Sequence, residues 1–304
     1  MDLFALIASI LVALVYIRFL RQMDVFEKET WKNTLLCFFI GVVTVPFVFI
    51  VYMIFPDIIN LPDHGSFNVR LRYHIQGVAS IEEFAKIIPF LIFYNRKDVL
   101  NESYDFIKYA SVGAMGFAAF ENVLYFNNNI SIIEDRAFYT AVLHMFTSSI
   151  IAYSIFYFKK NSKLPFLLIL VIAYGLAVFT HGLFNALVSS QSTYYFAVFQ
   201  VVFMLILWGK MMNNALNHSE YFHEKSIQLE INKAGIQLLF GWGLIFAFAV
   251  TAVYFQDGIT VAIEFIKESF LFGIISGVGL YYFLARPRIK KGIWIPLFKI
   301  DKNH

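Results

Sequence analysis

The chain has 304 residues, of which 59% are hydrophobic and only 15% are charged, and its mean hydropathy is +0.67. A soluble globular domain of this length carries a larger charged fraction, so the composition excludes that class. The formal net charge is only +3, and no basic and aromatic patch indicates binding to nucleic acid. The single cysteine, Cys37, excludes an intramolecular disulfide framework.

Apolar runs of about 20 residues recur along the whole chain, and this is the length that crosses the hydrocarbon core of a bilayer. Because the runs are continuous and not alternating, they predict helices and not barrel strands. We predict an all-α, polytopic transmembrane helical bundle in the cell (inner) membrane, with about nine spans. These spans cover residues 3–20, 34–55, 74–94, 107–126, 137–158, 164–188, 194–212, 234–256 and 261–284.

The basic residues are distributed unequally between the two sides of this predicted bundle. Nineteen lysines and arginines fall on one side, whereas only Arg70, Arg72 and Arg136 fall on the other, and Lys86 and Lys267 lie within spans. The positive-inside rule then predicts an external N-terminus and a cytoplasmic C-terminus. We predict a single membrane domain over 1–304, with a four-helix catalytic core at 74–188 and accessory helices followed by a basic cytoplasmic tail at 194–304.

Four consecutive predicted spans carry ionisable or amide side chains where a lipid-embedded helix is otherwise apolar. A charge at the bilayer centre costs roughly 2.5–3.5 kcal/mol on insertion scales, so such residues face the bundle interior and are functional candidates. At the helical rise per residue, they lie about 5–12 Å below the outer surface. A shared depth predicts one site in the outer half of the membrane, formed by Glu82, Glu83, Glu121, His144, His181 and Asn185.

The spacing of the polar residues along each span supports this site. Lys86 lies four residues after Glu82 and three after Glu83, so its ammonium can reach either carboxylate. His181 and Asn185 are four residues apart and share a face. The small residues of 110–116 also predict close contact between helices.

Two kinds of chemistry suit this set of side chains. A glutamate can take the proton from water while a histidine protonates the leaving group, and a histidine with an asparagine can donate to a developing oxyanion. Alternatively, histidines with glutamates can bind a divalent metal such as zinc. The HExxH motif is absent and Lys86 disfavours a cation, so a glutamate-activated water is preferred and no cofactor is favoured. A metal-dependent mechanism remains the alternative, and the predicted metal ligands are Glu83, Glu121, His144 and His181.

Three short motifs lie in order on separate spans. They are EEFAK at 82–86, FAAFE at 117–121 and HGLFN at 181–185, which match the patterns EExxK, FxxxE and HxxxD/N. With His144 between the last two, this order resembles the PrsW family of intramembrane proteases. That family is related to the CAAX prenyl endopeptidases and to bacteriocin-immunity-type membrane proteases. The resemblance covers roughly 74–188.

The resemblance implies an intramembrane endopeptidase that cleaves a membrane-anchored, single-pass protein near the outer face, for example an anti-sigma factor. It implies that Glu82 or Glu83 is the base, with His181 as its partner and Glu121 in the same site. Asn185 stands where many members have aspartate. Because an amide cannot act as a base, Asn185 would orient the substrate or donate a hydrogen bond.

Two other functions use the same layer of polar residues. One is a proton- or ion-coupled transporter, and the other is a non-catalytic membrane scaffold or immunity factor. A transporter more often shows an inverted repeat with paired broken helices near the bilayer midplane, and the sequence shows neither. An enzyme is therefore the preferred prediction.

Overall fold

The computed structural model describes residues 2–223 and 227–298, and within these ranges every regular element is a helix. The twelve α-helices are α1 (Leu3–Met23), α2 (Trp31–Ile54), α3 (Pro56–Ile59), α4 (Phe67–Arg72), α5 (Ser80–Tyr94), α6 (Ser103–Asn128), α7 (Ile133–Asp135), α8 (Ala141–Asn161), α9 (Phe166–Val188), α10 (Tyr194–Asn217), α11 (Ile227–Asp257) and α12 (Ile259–Leu284). Two π-helical segments, Tyr73–Ala79 and Arg136–Thr140, lead directly into α5 and α8, and a 3-10 turn, Ile130–Ile132, precedes α7.

Among the described residues, six helical stretches are long and apolar enough to cross a membrane. They are α1, α2, the run from Ile130 to Asn161, α9, α10 and α11. The chain is thus an all-helical, multi-pass membrane protein. Three further long helical stretches, 67–94, α6 and α12, coincide with the remaining predicted spans and carry charged residues within them. The count of nine spans and the orientation stay predictions.

Helix α6 lies at the centre of the bundle and packs against α1, α2, α5, α8 and α10. Its residues are buried almost without interruption from Ser103 to Ala119. This helix therefore brings its far end, where Glu121 lies, into contact with the helices on several sides.

Glycines bring α2 and α6 into backbone contact. A Cβ atom on Gly116 would overlap the backbone carbonyl of Phe38, and one on Gly41 would overlap the carbonyl of Gly113. This confirms the close helix contact predicted for 110–116 and identifies α2 as the partner. Small residues allow such an approach because no side chain separates the two backbones.

We expect Gly116→Ala to destabilise the fold by about 1–3 kcal/mol, because the added methyl group overpacks a contact made by backbone atoms. The thermal unfolding midpoint of the purified protein in detergent measures this effect. Gly175→Ala is the matched control, since a Cβ on Gly175 of α9 meets no atom within 4 Å. Equal midpoints for the two variants would contradict the close packing of α2 on α6.

The segment after α12 folds back along α10. Three asparagine side chains on α10 bind its backbone at 2.6–2.7 Å, with Asn213 accepting from Arg288, Asn214 from Ile295 and Asn217 from Lys290. The Trp294 ring stacks on His218, with ring centroids 3.7 Å apart. This part of the predicted tail is therefore docked, while residues 299–304 of that tail lie outside the described residues.

Candidate active site

Two of the helices that carry predicted site residues begin with a π-helical segment. Glu82 follows Tyr73–Ala79 within one turn, and His144 follows Arg136–Thr140 within one turn. The first of these segments rests on α9, where a Cβ on Gly182 would overlap Ile75. π-Helical turns frequently occur at functional sites because they change the direction of the side chains that follow. The sequence pattern gives no sign of either segment.

Lys86 and Glu83 form the buried centre of the site. Both side chains are fully buried, and Lys86 Nζ donates to Glu83 Oε1 at 2.6 Å. The same oxygen accepts from His181 Nδ1 at 2.7 Å and from Thr147 Oγ1 at 3.0 Å. A single carboxylate oxygen therefore connects α5, α8 and α9.

His144 extends this network to α6. Lys86 Nζ lies 2.7 Å from His144 Nδ1, and His144 Nε2 lies 2.9 Å from Glu121 Oε2. Because an ammonium can only donate, Nδ1 of His144 accepts the hydrogen bond from Lys86. The ring proton is then on Nε2, which donates a hydrogen bond to Glu121. The rings of His144 and His181 are perpendicular, with centroids 5.4 Å apart. The network thus joins the four predicted core helices.

Arg136 fixes the Glu121 carboxylate from the other side. Its Nη2 lies 3.0 Å from Glu121 Oε2, and its Nε donates to Asn122 Oδ1 at 2.7 Å. The guanidinium also lies over the Tyr125 ring, 3.8 Å from the ring centroid. Sequence reasoning assigned Arg136 to an external loop. Arg136 precedes His144 by about two helical turns, so the two residues share a face of the helical run, and this spacing could have indicated that Arg136 belongs to the site.

Thr147 is the second residue that sequence reasoning missed. It lies three residues after His144, on the same face of α8, and donates to Glu83 Oε1. The neighbouring Ser148 is also buried, but within the described residues its hydroxyl has no hydrogen-bond partner. The spacing alone does not say which of the two hydroxyls contacts the carboxylate.

Glu82 is placed differently from Glu83. Its side chain is 13% exposed, and Oε2 lies 3.7 Å from His181 Nε2 and 3.9 Å from Lys86 Nζ. Separations beyond about 3.5 Å are those at which a water bridges two polar groups. Among the described residues Glu82 makes no direct side-chain hydrogen bond, whereas Glu83 already accepts three. Of the two adjacent glutamates, Glu82 is therefore the one that is partly exposed and makes no direct side-chain hydrogen bond within the described residues.

Asn185 does not join the network. Its side chain is half-buried and forms no hydrogen bond within the described ranges, 2–223 and 227–298, while its carbonyl accepts from the Ser189 amide. The structure thus brings six of the seven predicted site residues together, and Asn185 lies one turn beyond His181. Its role stays a prediction.

The site also contains a group of side chains with the chemistry of a metal site. Glu82, His144 and His181 each offer one ligand atom, and these atoms lie within 4.8 Å of one another. Two histidines and one glutamate form a known catalytic zinc set, so the donor atoms fit that ion. The set differs from the predicted one because Glu83 and Glu121 contact imidazole nitrogens instead, as carboxylates that orient metal-bound histidines do.

Comparison with known proteins covers the region that contains this site. The model of a family described as PrsW family intramembrane metalloprotease matches residues 29–210. Protease PrsW of Oceanobacillus iheyensis is 27% identical over 209 residues, which are 66% of this chain and 89% of that protein. Protease PrsW of Geobacillus kaustophilus is 27% identical over 211 residues, which are 67% and 87% of the two chains. No solved structure matches the chain.

Proposed function

Because the chain belongs to the PrsW family of intramembrane metalloproteases, we propose that it cleaves a single-pass membrane protein by a water molecule that Glu82 activates. Membership makes the protein a membrane-embedded hydrolase whose substrates are membrane-embedded proteins. The finer assignments, namely the base, the kind of substrate and the side of the membrane, are our proposal. The family match leaves the transporter and scaffold alternatives without support.

The observation that carries the proposal is the pairing of one partly exposed carboxylate with a fully buried charged centre. The site contains three carboxylates, Glu82, Glu83 and Glu121, but only two cations among the described residues. Glu83 pairs with Lys86, and Glu121 pairs with Arg136. Glu82 is the carboxylate left without a close cation, because Lys86 Nζ is 3.9 Å from it. A carboxylate that water reaches and that no cation neutralises at close range is suited to be a general base.

The reaction then follows from the side chains around Glu82. Glu82 takes a proton from water, and the water oxygen attacks the carbonyl carbon of the scissile peptide. The carbonyl oxygen gains negative charge, which the Lys86 ammonium stabilises. The carbon–nitrogen bond breaks, and Glu82 returns its proton to the amine. The products are a new carboxyl terminus and a new amino terminus.

The remaining residues of the network position these groups. Glu83 holds Lys86 and His181 through one oxygen, with Thr147 as a further donor to it. With its proton on Nδ1 and donated to Glu83, His181 presents Nε2 toward Glu82. Glu121, held by Arg136, accepts the hydrogen bond from His144 Nε2 and so leaves Nδ1 of that ring to accept from Lys86. These are positioning roles, since the residues act through the lysine and the histidines.

A metal would use the same place in the site. A zinc ion would be held by Glu82, His144 and His181 and would supply Lewis-acid polarisation of the water and the carbonyl. Lys86 Nζ lies 2.7 Å from His144 Nδ1, the nitrogen that Glu121 leaves available, so its ammonium competes with a metal cation for this imidazole. This competition favours the glutamate-activated water.

If the Lys86 ammonium holds this position during catalysis, chelation leaves the cleavage rate unchanged. We expect purified protein treated with EDTA and 1,10-phenanthroline to cut within about twofold of the untreated rate. Zinc added above stoichiometry is expected to inhibit, because it competes with Lys86 for His144. Loss of activity on chelation, with recovery on adding zinc, would instead assign the water activation to a metal.

The assignment of the active site to the outer half of the membrane rests on the distribution of basic residues. With nine spans, an external N-terminus and a cytoplasmic C-terminus, the site lies in the outer half of the membrane. A substrate cut there is released on the outer side, as for an anti-sigma factor that is trimmed to start a signal. The resemblance and the basic-residue asymmetry both support this orientation.

The proposed function is tested by mapping the N- and C-termini of membrane-fraction proteins and comparing them between cells that express different variants. Cells expressing the wild-type chain, Glu82→Gln or Glu264→Gln are compared; Glu264 is an exposed glutamate on α12 and is the matched control. We expect new termini within or next to a membrane span in wild-type and Glu264→Gln cells, and none in Glu82→Gln cells. Identical termini in all three would overturn the proposal.

A further inference from the structure

A second group of buried charges lies at the opposite end of α6 from the active site. It comprises Asp24, Glu27 and Glu29 from the loop between α1 and α2, and Glu102 and Asp105 at the start of α6; we call it the juxtamembrane acidic cluster. Asp105 is 16 residues from Glu121, or ~24 Å along the helix. The cluster is therefore separate from the active site.

The cluster has more negative charge than its cations neutralise. Lys108 Nζ pairs with Asp24 Oδ2 and Asp105 Oδ1, each at 2.7 Å. Among the described residues, Lys108 is the only cation within salt-bridge distance of these five carboxylates. Arg21 lies nearby, but its Nη1 donates to the Glu29 backbone carbonyl at 2.6 Å and to Thr34 Oγ1 at 3.0 Å. The buried carboxylates thus outnumber their cation.

Glu102 is the independent sign that a ligand belongs here. It is only 1% exposed, yet within the described ranges neither carboxylate oxygen has a hydrogen-bond partner. The Glu102 backbone N–H donates to Asp105 Oδ2 at 2.9 Å, while its own carboxylate makes no such bond among the described residues. Burying an unpaired carboxylate is costly, so a buried group of this kind needs a positive partner.

Glu102 is one of several buried acceptors in this region that lack a hydrogen-bond partner within the described residues. Further buried oxygens lack a partner in the described part of the chain, and they include Asp24 Oδ1, Glu27 Oε2 and Asn101 Oδ1. All of these atoms are acceptors, so another protein acceptor cannot satisfy them, whereas a cation can.

The spacing of the oxygens suits one ion. Glu27, Glu29 and Asp105 each offer a carboxylate oxygen, and these oxygens lie within 4.8 Å of one another. Oxygens on opposite sides of a Ca²⁺ ion stand roughly 4.6–5.2 Å apart, given bond lengths of 2.3–2.6 Å. Hard divalent cations take carboxylate and amide oxygens, whereas zinc and copper favour nitrogen and sulfur.

We propose that the juxtamembrane acidic cluster binds a hard divalent cation, Ca²⁺ or Mg²⁺, and that Glu27, Glu29 and Asp105, together with the unpartnered Glu102, are its ligands. The ion ties the loop between α1 and α2 to the first turn of α6, the central helix of the bundle. It therefore stabilises the end of α6 that lies away from the active site.

Titration of purified full-length protein tests this site. The protein in detergent is stripped with EDTA, and Ca²⁺ or Mg²⁺ is then added while calorimetry measures binding and the thermal unfolding midpoint is followed. We expect about one ion per chain and a higher midpoint with the ion. Glu27→Gln and Glu102→Gln are each expected to weaken binding at least ~10-fold.

Two controls make the result specific. Asp98→Asn removes an exposed acid close to Glu102 in sequence, paired only with Arg96 among the described residues, and it is expected to bind like wild type. Glu82→Gln is expected to bind like wild type too, which separates this site from the active site whatever the outcome for cleavage. Absence of binding at millimolar Ca²⁺ and Mg²⁺, equal binding by Glu27→Gln and Glu102→Gln, or loss of binding in Glu82→Gln would each overturn the proposal.

Discussion

Glu82→Gln is expected to lower the rate of substrate cleavage by roughly 10³-fold, because an amide cannot take the proton from water and general-base catalysis contributes about 10²–10⁴-fold. The thermal unfolding midpoint is expected to stay at the wild-type value, since Glu82 makes no direct hydrogen bond within the described residues and its nearest cation is 3.9 Å away. Single-turnover cleavage by purified protein, measured alongside thermal unfolding, checks both parts.

Glu83→Gln is the variant that separates the two adjacent glutamates. This substitution removes the negative partner of the buried Lys86, which lies 2.6 Å from Glu83 Oε1. We therefore expect it to lower stability as well as activity, in contrast to Glu82→Gln. If Glu83→Gln loses activity at full stability while Glu82→Gln retains activity, the two roles are reversed.

Lys86→Met is expected to destabilise the protein by about 3–5 kcal/mol, the cost of removing one partner from a buried ion pair. The substitution leaves the fully buried Glu83 carboxylate without a cation at hydrogen-bond distance. It also removes the donor to His144 Nδ1, so cleavage is expected to fall with stability. Resistance to unfolding by heat and by increasing SDS measures the first effect.

The double variant Lys86→Met with Glu83→Gln distinguishes the ion pair from simple packing. With both charges removed, most of the lost stability is expected to return, because replacing both members of a buried pair is far less costly than removing one. Activity is expected to remain absent, since no ammonium is left to stabilise the oxyanion. Additive losses of stability in the double variant would contradict a direct interaction between the two side chains.

The sequence was most informative where charge conflicted with its apolar surroundings. The high cost of intramembrane charge singled out Glu82, Glu83, Lys86 and Glu121 before any contact was known. Five of the seven predicted residues meet in one hydrogen-bond network with Glu82 beside it, and the small residues of 110–116 do pack tightly on a neighbouring helix. Charged residues in an apolar membrane helix are informative because their insertion into lipid is costly, so they are retained mainly where they serve the function of the protein.

Other features depend on tertiary contacts that a linear pattern does not contain. Two π-helical segments lie directly before the helices that carry Glu82 and His144, and the hydrophobic pattern of the sequence gives no sign of them. Arg136 precedes the predicted span, so it was counted with the external loop although it pairs with Glu121. Glu82 and Glu83 differ in burial and in hydrogen-bond partners. This difference depends on neighbouring helices, so the sequence of two adjacent glutamates does not show it.

Cleavage in a fully defined system tests the central claim most directly. The purified chain is placed in liposomes with one membrane protein that it cuts in cells, the water is enriched in ¹⁸O, and mass spectrometry reads the new termini. The wild-type chain alone is predicted to cut within or next to the apolar segment and to leave one ¹⁸O atom on the new carboxyl terminus, while Glu82→Gln leaves the substrate whole. Equal cleavage by Glu82→Gln, or no cleavage by the folded wild-type chain, would contradict a site in which Glu82 activates water.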